Sequence, residues 1–283
     1  KHRYGENQDV EGSKFFFKPV WYDDLKSFVN AGDSVLLIGP PGSGKTLACE
    51  HLFEERQQRL QVVSCTPSMT ADDIEGRVEL RNDHGVSITE FEPAALAVAS
   101  KNGMGVLLDE ADAVPASASF GLFRLLDRRD MRIQRLGADG VIPRHPDFRI
   151  VGTQNTEGRG DETGLHHGRA YQDEAFLDRW DNVIRVDYPS KEDESSILTN
   201  STGVSCEDAE RIVESASLLR SALVDDKIMF CCTIRRTQAV ARNIVRGIDT
   251  QRAWRYAVVN RSTREDATRI IEILSRVYGG SWR

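Results

Sequence analysis

The residues from Gly39 to Thr46 read Gly-Pro-Pro-Gly-Ser-Gly-Lys-Thr, a spacing of the form G-x-x-x-x-G-K-[ST]. The chemistry open to that pattern is phosphate binding, because the glycines let successive backbone N–H groups turn inward around phosphate oxygens. Lys45 is placed to reach the β- and γ-phosphates of a nucleoside triphosphate, and the Thr46 hydroxyl to hold Mg²⁺. The candidate cradle is Gly39, Pro40, Pro41, Gly42, Ser43, Gly44, Lys45, Thr46 and Leu47. Ser34-Val35-Leu36-Leu37-Ile38 before it reads as a buried strand. Leu47-Ala48-Cys49-Glu50-His51-Leu52-Phe53 after it reads as a helix, whose N-terminus adds partial positive charge.

Binding alone does not hydrolyse a phosphoanhydride; a metal-orienting carboxylate and a group that activates water are also needed. Val106-Leu107-Leu108-Asp109-Glu110 is an apolar strand ending in two acids. Asp109 would order the Mg²⁺ shell and Glu110 would polarise the attacking water. Acids also favour helix starts, and the position downstream of a phosphate loop is what favours catalysis.

These residues need a scaffold that brings distant segments to one edge. Gln61–Cys65, Met104–Asp109, Phe148–Thr153 and Asn182–Val186 read as further strands, alternating with helical stretches. That alternation predicts an α/β fold, with a parallel sheet covered on both faces. Two insertions read as β-hairpins. In the first, Arg77–Leu80 and Val86–Thr89 flank Arg81–Gly85; in the second, Met131–Arg135 and Val141–Ile142 flank Gly137–Gly140. After Tyr188-Pro189-Ser190 the i, i+3, i+4, i+7 period takes over, in Ala209/Ile212/Val213/Ala216, Ala241/Ile244/Val245/Ile248 and Ala267/Ile270/Ile271/Leu274. The expected organisation is a flexible lead-in at 1–14, a nucleotide-binding domain at 15–189 and a small all-helical domain at 190–283. Phe15-Phe16-Phe17, Val20, Trp21 and Tyr22 are expected to cover one edge of the nucleotide domain.

The chain has 283 residues, 40% of them hydrophobic and 29% charged, with a net charge of −7. That length allows a real core, and the charge gives no general basic footprint for nucleic acid. No apolar run is long enough to span a bilayer, and Lys1–Glu6 does not read as the start of a signal peptide, so a cytosolic location is expected. The opening at Lys1 predicts a trimmed or processed chain. Cys49, Cys65, Cys206, Cys231 and Cys232 form no C-x-x-C pair and read as buried or incidental thiols. His166-His167 lacks a third ligand at metal spacing and reads as loop.

The motifs together resemble the AAA+ ATPases, and within them the MoxR-like branch that includes the cobaltochelatase subunit CobS. Gly39–Thr46 and Leu107–Glu110 look like the Walker A and Walker B motifs of that family. Phe91–Leu96 is similar to the end of its helix-two insert, and the hairpin after Asp130 to its pre-sensor insert. Gly152-Thr153-Gln154-Asn155-Thr156-Glu157-Gly158-Arg159-Gly160-Asp161-Glu162-Thr163-Gly164 resembles its sensor-one stretch, which implies a sensor role for Asn155. Phe176–Trp180 is similar to its L-D-R-F segment, which implies that Arg179 is an arginine finger completing a neighbour's site. Thr233–Thr237 looks like the start of its lid helix, placing the lid arginine at Arg235 or, by a shift of one, Arg236.

The resemblance implies an AAA+ P-loop domain with two hairpin inserts and a helical lid, using ATP and Mg²⁺. It implies a homo-oligomeric ring, a hexamer, that remodels or activates a partner protein, such as a von Willebrand A-domain protein or a chelatase subunit. A nucleic-acid-associated motor and an ATP-gated scaffold without useful turnover are the alternatives. Acidic balance weighs against the first and Glu110 against the second.

Overall fold

The structure is a computed structural model, and it describes residues 16–83, 86–155, 174–280 and 282. The expectations for the lead-in at 1–14, for Phe15, for the tip His84-Gly85, for Thr156–Gly164 and for His166-His167 fall outside the described residues.

A helix α1 (Tyr22–Ala31) leads into β1 (Val35–Ile38), and the phosphate loop then runs into α2 (Lys45–Glu55). There follow β2 (Leu60–Ser64), the short α3 (Ala71–Glu75), β3 (Gly76–Asp83), β4 (Val86–Pro93), α4 (Ala95–Lys101) and β5 (Gly105–Asp109). Next come α5 (Ala116–Leu126), β6 (Met131–Arg132), β7 (Val141–Ile142), β8 (Arg149–Gln154), α6 (Glu174–Leu177) and β9 (Asn182–Arg185). Five of these strands form one sheet in the order β2-β5-β8-β1-β9, and every pair in it is parallel. β1 and β5 are continuous apolar runs because both of their faces are covered. Leu25, Val29, Leu52 and Phe53 from α1 and α2 pack on one side with Val35 and Leu37, and residues of α4 and α5 pack on the other with Leu36, Val106 and Leu108. Register then sets the site, since Ile38 pairs with both Gln154 and Arg185, and Ser64 pairs with Asp109. The chain therefore leaves β1, β5, β8 and β9 at one edge.

Both hairpins are present, and both differ from expectation in extent. The first is longer, with Gly76 paired to Pro93 and the ladder running out to Asp83 and Val86. The second pairs only Met131–Arg132 with Val141–Ile142. Its expected arm at Gln134-Arg135 instead lies in a 3₁₀ turn over Gln134–Asp139. Burial of Ile133, with Leu136 packed on the same core, pulls this segment down onto the domain instead of letting it extend.

The last part of the chain is helical: α7 (Lys191–Thr202), α8 (Cys206–Val224), α9 (Ile234–Val245), α10 (Thr250–Ala257) and α11 (Arg264–Tyr278). Ser190, Ser205, Asp249 and Thr263 cap α7, α8, α10 and α11 by accepting a backbone N–H three residues on, which satisfies donors the helix leaves orphaned. These helices share a core of their own around fully buried Trp254, whose indole N–H donates to the Tyr278 hydroxyl at 3.1 Å. The stripes on α8 and α11 face this core, as do Ala241 and Ile244 on α9, but Val245 is 51% exposed. Helix α9 ends there and Gly247 turns at φ +83°, so Ile248 packs on the same core from beyond the helix and not as part of its period. Among the described residues no helix is long and apolar enough to cross a membrane. Cys49, Cys65 and Cys232 are buried, Cys231 is partly so and Cys206 is exposed.

Candidate functional site

The loop after β1 is shaped by its glycines. Gly42 and Gly44 have φ of +74° and +92°, which only glycine adopts without strain. A Cβ on Gly39 would lie 1.9 Å from the Val186 carbonyl oxygen. Lys45, the first residue of α2, is buried, and its ammonium donates to the carbonyls of Gly39 at 2.7 Å and Pro40 at 2.9 Å and to Asn155 Oδ1 at 3.2 Å. Burial lowers its pKa from 10.5 to about 8, with Asp109 and Asp112 acting in the opposite direction and Arg235 in the same one. The Ser43 hydroxyl is shielded from solvent with no hydrogen-bond partner among the described residues. An orphaned donor at the tip of a glycine turn suits a phosphate oxygen.

The end of β5 delivers the acids. Thr46 Oγ1 donates to Asp109 Oδ1 at 3.1 Å, and Thr153 Oγ1 donates to the same oxygen at 2.6 Å. Thr153 also accepts the backbone N–H of Glu110 at 3.1 Å. Glu110 sits at φ +59°, ψ +46°, a left-handed conformation uncommon for a residue with a side chain. It follows the last strand residue and re-aims the carboxylate at the sheet edge. Asn155 Nδ2 lies 3.5 Å from Glu110 Oε1, at the long end of hydrogen-bond reach, and the Asn155 N–H points to Asp112 Oδ2 at 3.4 Å. One amide thus stands between the lysine and the glutamate. A hydroxyl and a carboxylate in contact are hard oxygen donors of the kind Mg²⁺ takes, so Thr46 and Asp109 fit that ion.

These groups line a cleft of about 640 Å³ between the sheet edge and the helical bundle, a size usual for small-molecule sites. Gly42, Ser43, Gly44, Lys45, Thr46, Leu47, Asp109, Glu110 and Asn155 all line it, as does Pro41. Gly39 and Pro40 act behind them through their carbonyls. The apolar wall comes from Phe16, Phe17, Val20, Trp21, Ile197 and Ile234. Phe16 stacks on His51 at 4.0 Å, and buried Tyr22 donates to Glu55 at 3.0 Å, which fixes this aromatic segment against α2. Arg235 lines the cleft and Arg236 does not; burial and the charges of Arg261, Arg235 and Arg242 lower the pKa of Arg236.

Arg179 also stays outside the cleft, and the side chains and carbonyl that its guanidinium meets among the described residues do not line it. Its guanidinium lies 4.1 Å from the Phe123 ring centroid, its Nη1 donates to the Ala175 carbonyl, and its Nε is 3.4 Å from Asp127 Oδ1 without hydrogen-bond geometry. Asp181, a nearer partner by sequence, is engaged by Arg128 and Ser34 instead. Sequence reasoning missed Thr153, Asp112 and Tyr188 as site residues. Thr153 carried a signal, since it closes an expected strand two residues before Asn155, and the Tyr-Pro pair that follows the last strand marks Tyr188. Asp112 carried none, because its place follows from the turn at Glu110.

Residues 34–179 match the family described as AAA domain (dynein-related subfamily). The chain is 26% identical over 250 residues to the aerobic cobaltochelatase subunit CobS of a Sinorhizobium species, covering 87% of this chain and 75% of that one. It is 30% identical over 214 residues to protein CbbQ of Hydrogenophilus thermoluteolus, covering 74% of each. A Thermotoga maritima RuvB mutant superposes with a TM-score of 0.53 at 18% identity, over 92% of this chain and 76% of that one, a likeness of fold alone.

Proposed function

Because this chain belongs to the AAA domain family of the dynein-related subfamily, among the MoxR-like AAA+ ATPases, we propose that it hydrolyses ATP with Mg²⁺ in a homo-oligomeric ring and uses the cycle to activate or remodel a partner protein. The observation that carries this reading is the contact series Lys45–Asn155–Glu110, beside the Thr46–Asp109 pair, at one edge of the sheet.

Lys45 compensates the β- and γ-phosphates, and the N–H groups of Gly42 to Lys45 cradle them. Thr46 and Asp109 would hold Mg²⁺, which would supply charge neutralisation on the phosphate oxygens. Glu110 accepts a proton from the attacking water, and Asn155 holds that water in line by its amide. The aromatic and apolar wall excludes bulk solvent. Arg235 reaches the nucleotide from the helical side, and Arg179 reaches the site of the next subunit in a hexamer. The partner we propose is a von Willebrand A-domain protein or a chelatase subunit, with the two hairpins as the elements that meet it.

The test is phosphate release by the purified chain with and without Mg²⁺, single-stranded DNA, RNA and candidate partner proteins. Mg²⁺-dependent release stimulated by a protein supports the reading. Stimulation by nucleic acid alone moves the chain to the motor alternative, and tight ATP binding with no release in any condition makes it a gated scaffold.

A further inference from the structure

Two residues that adjoin the helical bundle touch the phosphate loop, Tyr188 just before α7 and Thr233 just before α9. The Tyr188 hydroxyl donates to the Pro41 carbonyl at 3.0 Å. The second contact is Thr233, which precedes α9; a Cβ added to Gly42 would lie 3.0 Å from the Thr233 Cβ. Tyr188 is not free to swing. The Arg220 guanidinium lies 3.9 Å from its ring centroid, and Arg220 is itself clamped. It donates through both terminal nitrogens to Glu194 at 2.6 and 2.9 Å and through Nε to the Cys232 carbonyl at 2.8 Å. Glu194 is fully buried and also accepts the Thr237 hydroxyl at 3.1 Å. One buried ion pair therefore ties α7, α8 and α9 together and ends on a ring whose hydroxyl touches the loop.

Replacing a buried ion pair of this kind by apolar residues is often neutral for stability, so its presence points to geometry more than to strength. The geometry has a definite consequence at the loop. A peptide unit is planar, with its C=O and N–H pointing in opposite directions, so fixing the Pro41 oxygen fixes the direction in which the Gly42 N–H is presented. We infer that Tyr188 is a positioning residue for the phosphate loop, held in place by Arg220 and Glu194, so that the seating of the helical bundle sets how the loop offers its Gly42 N–H. Burial, with Cys231 beside it, pushes the Tyr188 phenol well above its ordinary value, which keeps the hydroxyl a donor. For its affinity readout the inference rests on the proposed nucleotide function.

Tyr188→Phe tests it, because the ring, the Arg220 stack and the cleft wall survive and only the hydroxyl goes. In nucleotide-free protein, hydrogen exchange in the peptide spanning residues 40–44 should speed up about 5-fold, the worth of one hydrogen bond. ADP affinity should fall by a similar factor, and KM for ATP should rise with kcat within twofold, since the loop holds ground state and transition state alike. Arg220→Lys keeps a cation beside Glu194 but loses the planar fork and the stack. It should act in the same direction, and in the Tyr188→Phe background it should add nothing. A wall residue with no positioning role would leave exchange at 40–44 and ADP affinity within twofold of the parent, and that result overturns the inference. Fully additive losses in the double variant overturn it as well. A parent chain that binds no ADP overturns the nucleotide reading instead, and the exchange comparison still decides the role of Tyr188.

Discussion

The Lys45 ammonium is held by two loop carbonyls and an amide in a site that water hardly reaches, and its pKa falls to about 8 in consequence. The sign of the stability effect follows from proton counting. Between pH 8 and 10.5 the unfolded chain keeps this proton while the folded chain has lost it, so this group makes the nucleotide-free fold more stable as pH rises through that window, by up to about 3 kcal/mol. ATP affinity should move the other way, weakening above pH 8 as the charge disappears. Denaturant midpoints and calorimetric titrations at pH 7, 8 and 9 check both, and affinity that is flat with pH removes Lys45 as the phosphate's counter-charge. Lys45→Ala should cost about 100-fold in ATP affinity, as for loss of a charge-assisted hydrogen bond. Glu110→Gln should keep ATP and Mg²⁺ affinity within a few-fold and lower turnover about 10²- to 10⁴-fold. Asn155→Ala should lower turnover with little loss of binding; an equal loss of both by filter binding and phosphate release would make Asn155 a structural support for Lys45.

The first hairpin belongs to the scale of elements. Leu80 is 77% exposed, and Val78 and Ile88 are also exposed along the β3–β4 ladder. Leu80→Ser removes no core contact, so it should leave basal hydrolysis and melting temperature unchanged and reduce stimulation by the partner several-fold. Full stimulation of that variant would make the hairpin a decoration. Elements were also where the sequence was most and least legible. Strands buried on both faces announce themselves as unbroken apolar runs, and the expected strands of the five-stranded sheet agree with the observed ones to within one residue at each end, unlike those of the hairpins. The register that sets Ile38 opposite Gln154 and Arg185 was not readable, because β-strand pairing is decided by contacts far apart in sequence. The same limit explains the 3₁₀ turn at Gln134–Asp139, where Ile133 is buried in the core. On α9 the signal was local, since Gly247 follows the helix end and the period was extended past it to Ile248. At the site, the motif spacing pointed to Lys45, Thr46 and Asp109, and the side chains that orient them had to be seen.

At the scale of the whole molecule, Arg179 lies away from its own cleft and is anchored by Phe123, Ala175 and Asp127. If it serves a neighbour, Arg179→Ala should fold and bind ATP normally but lose about 10³-fold or more in turnover. Mixing it with inactive Lys45→Ala subunits should restore part of the activity, because an intact loop can then meet an intact arginine. Mixed rings verified by native mass spectrometry that stay inactive would return Arg179 to an internal anchor. Asp127→Asn would remove only the charge of one of these three anchors, and it touches no residue of the cleft. The residues buried in the sheet core and those buried in the helical core do not overlap, and the cleft lies between the two sets. A ligand seated there would touch both, and if each core unfolds as its own cooperative unit it would act as a rivet between them. Scanning calorimetry should accordingly resolve two heat-absorption peaks for the bare chain and one, at higher temperature, once ATP and Mg²⁺ are present with Glu110→Gln preventing their consumption.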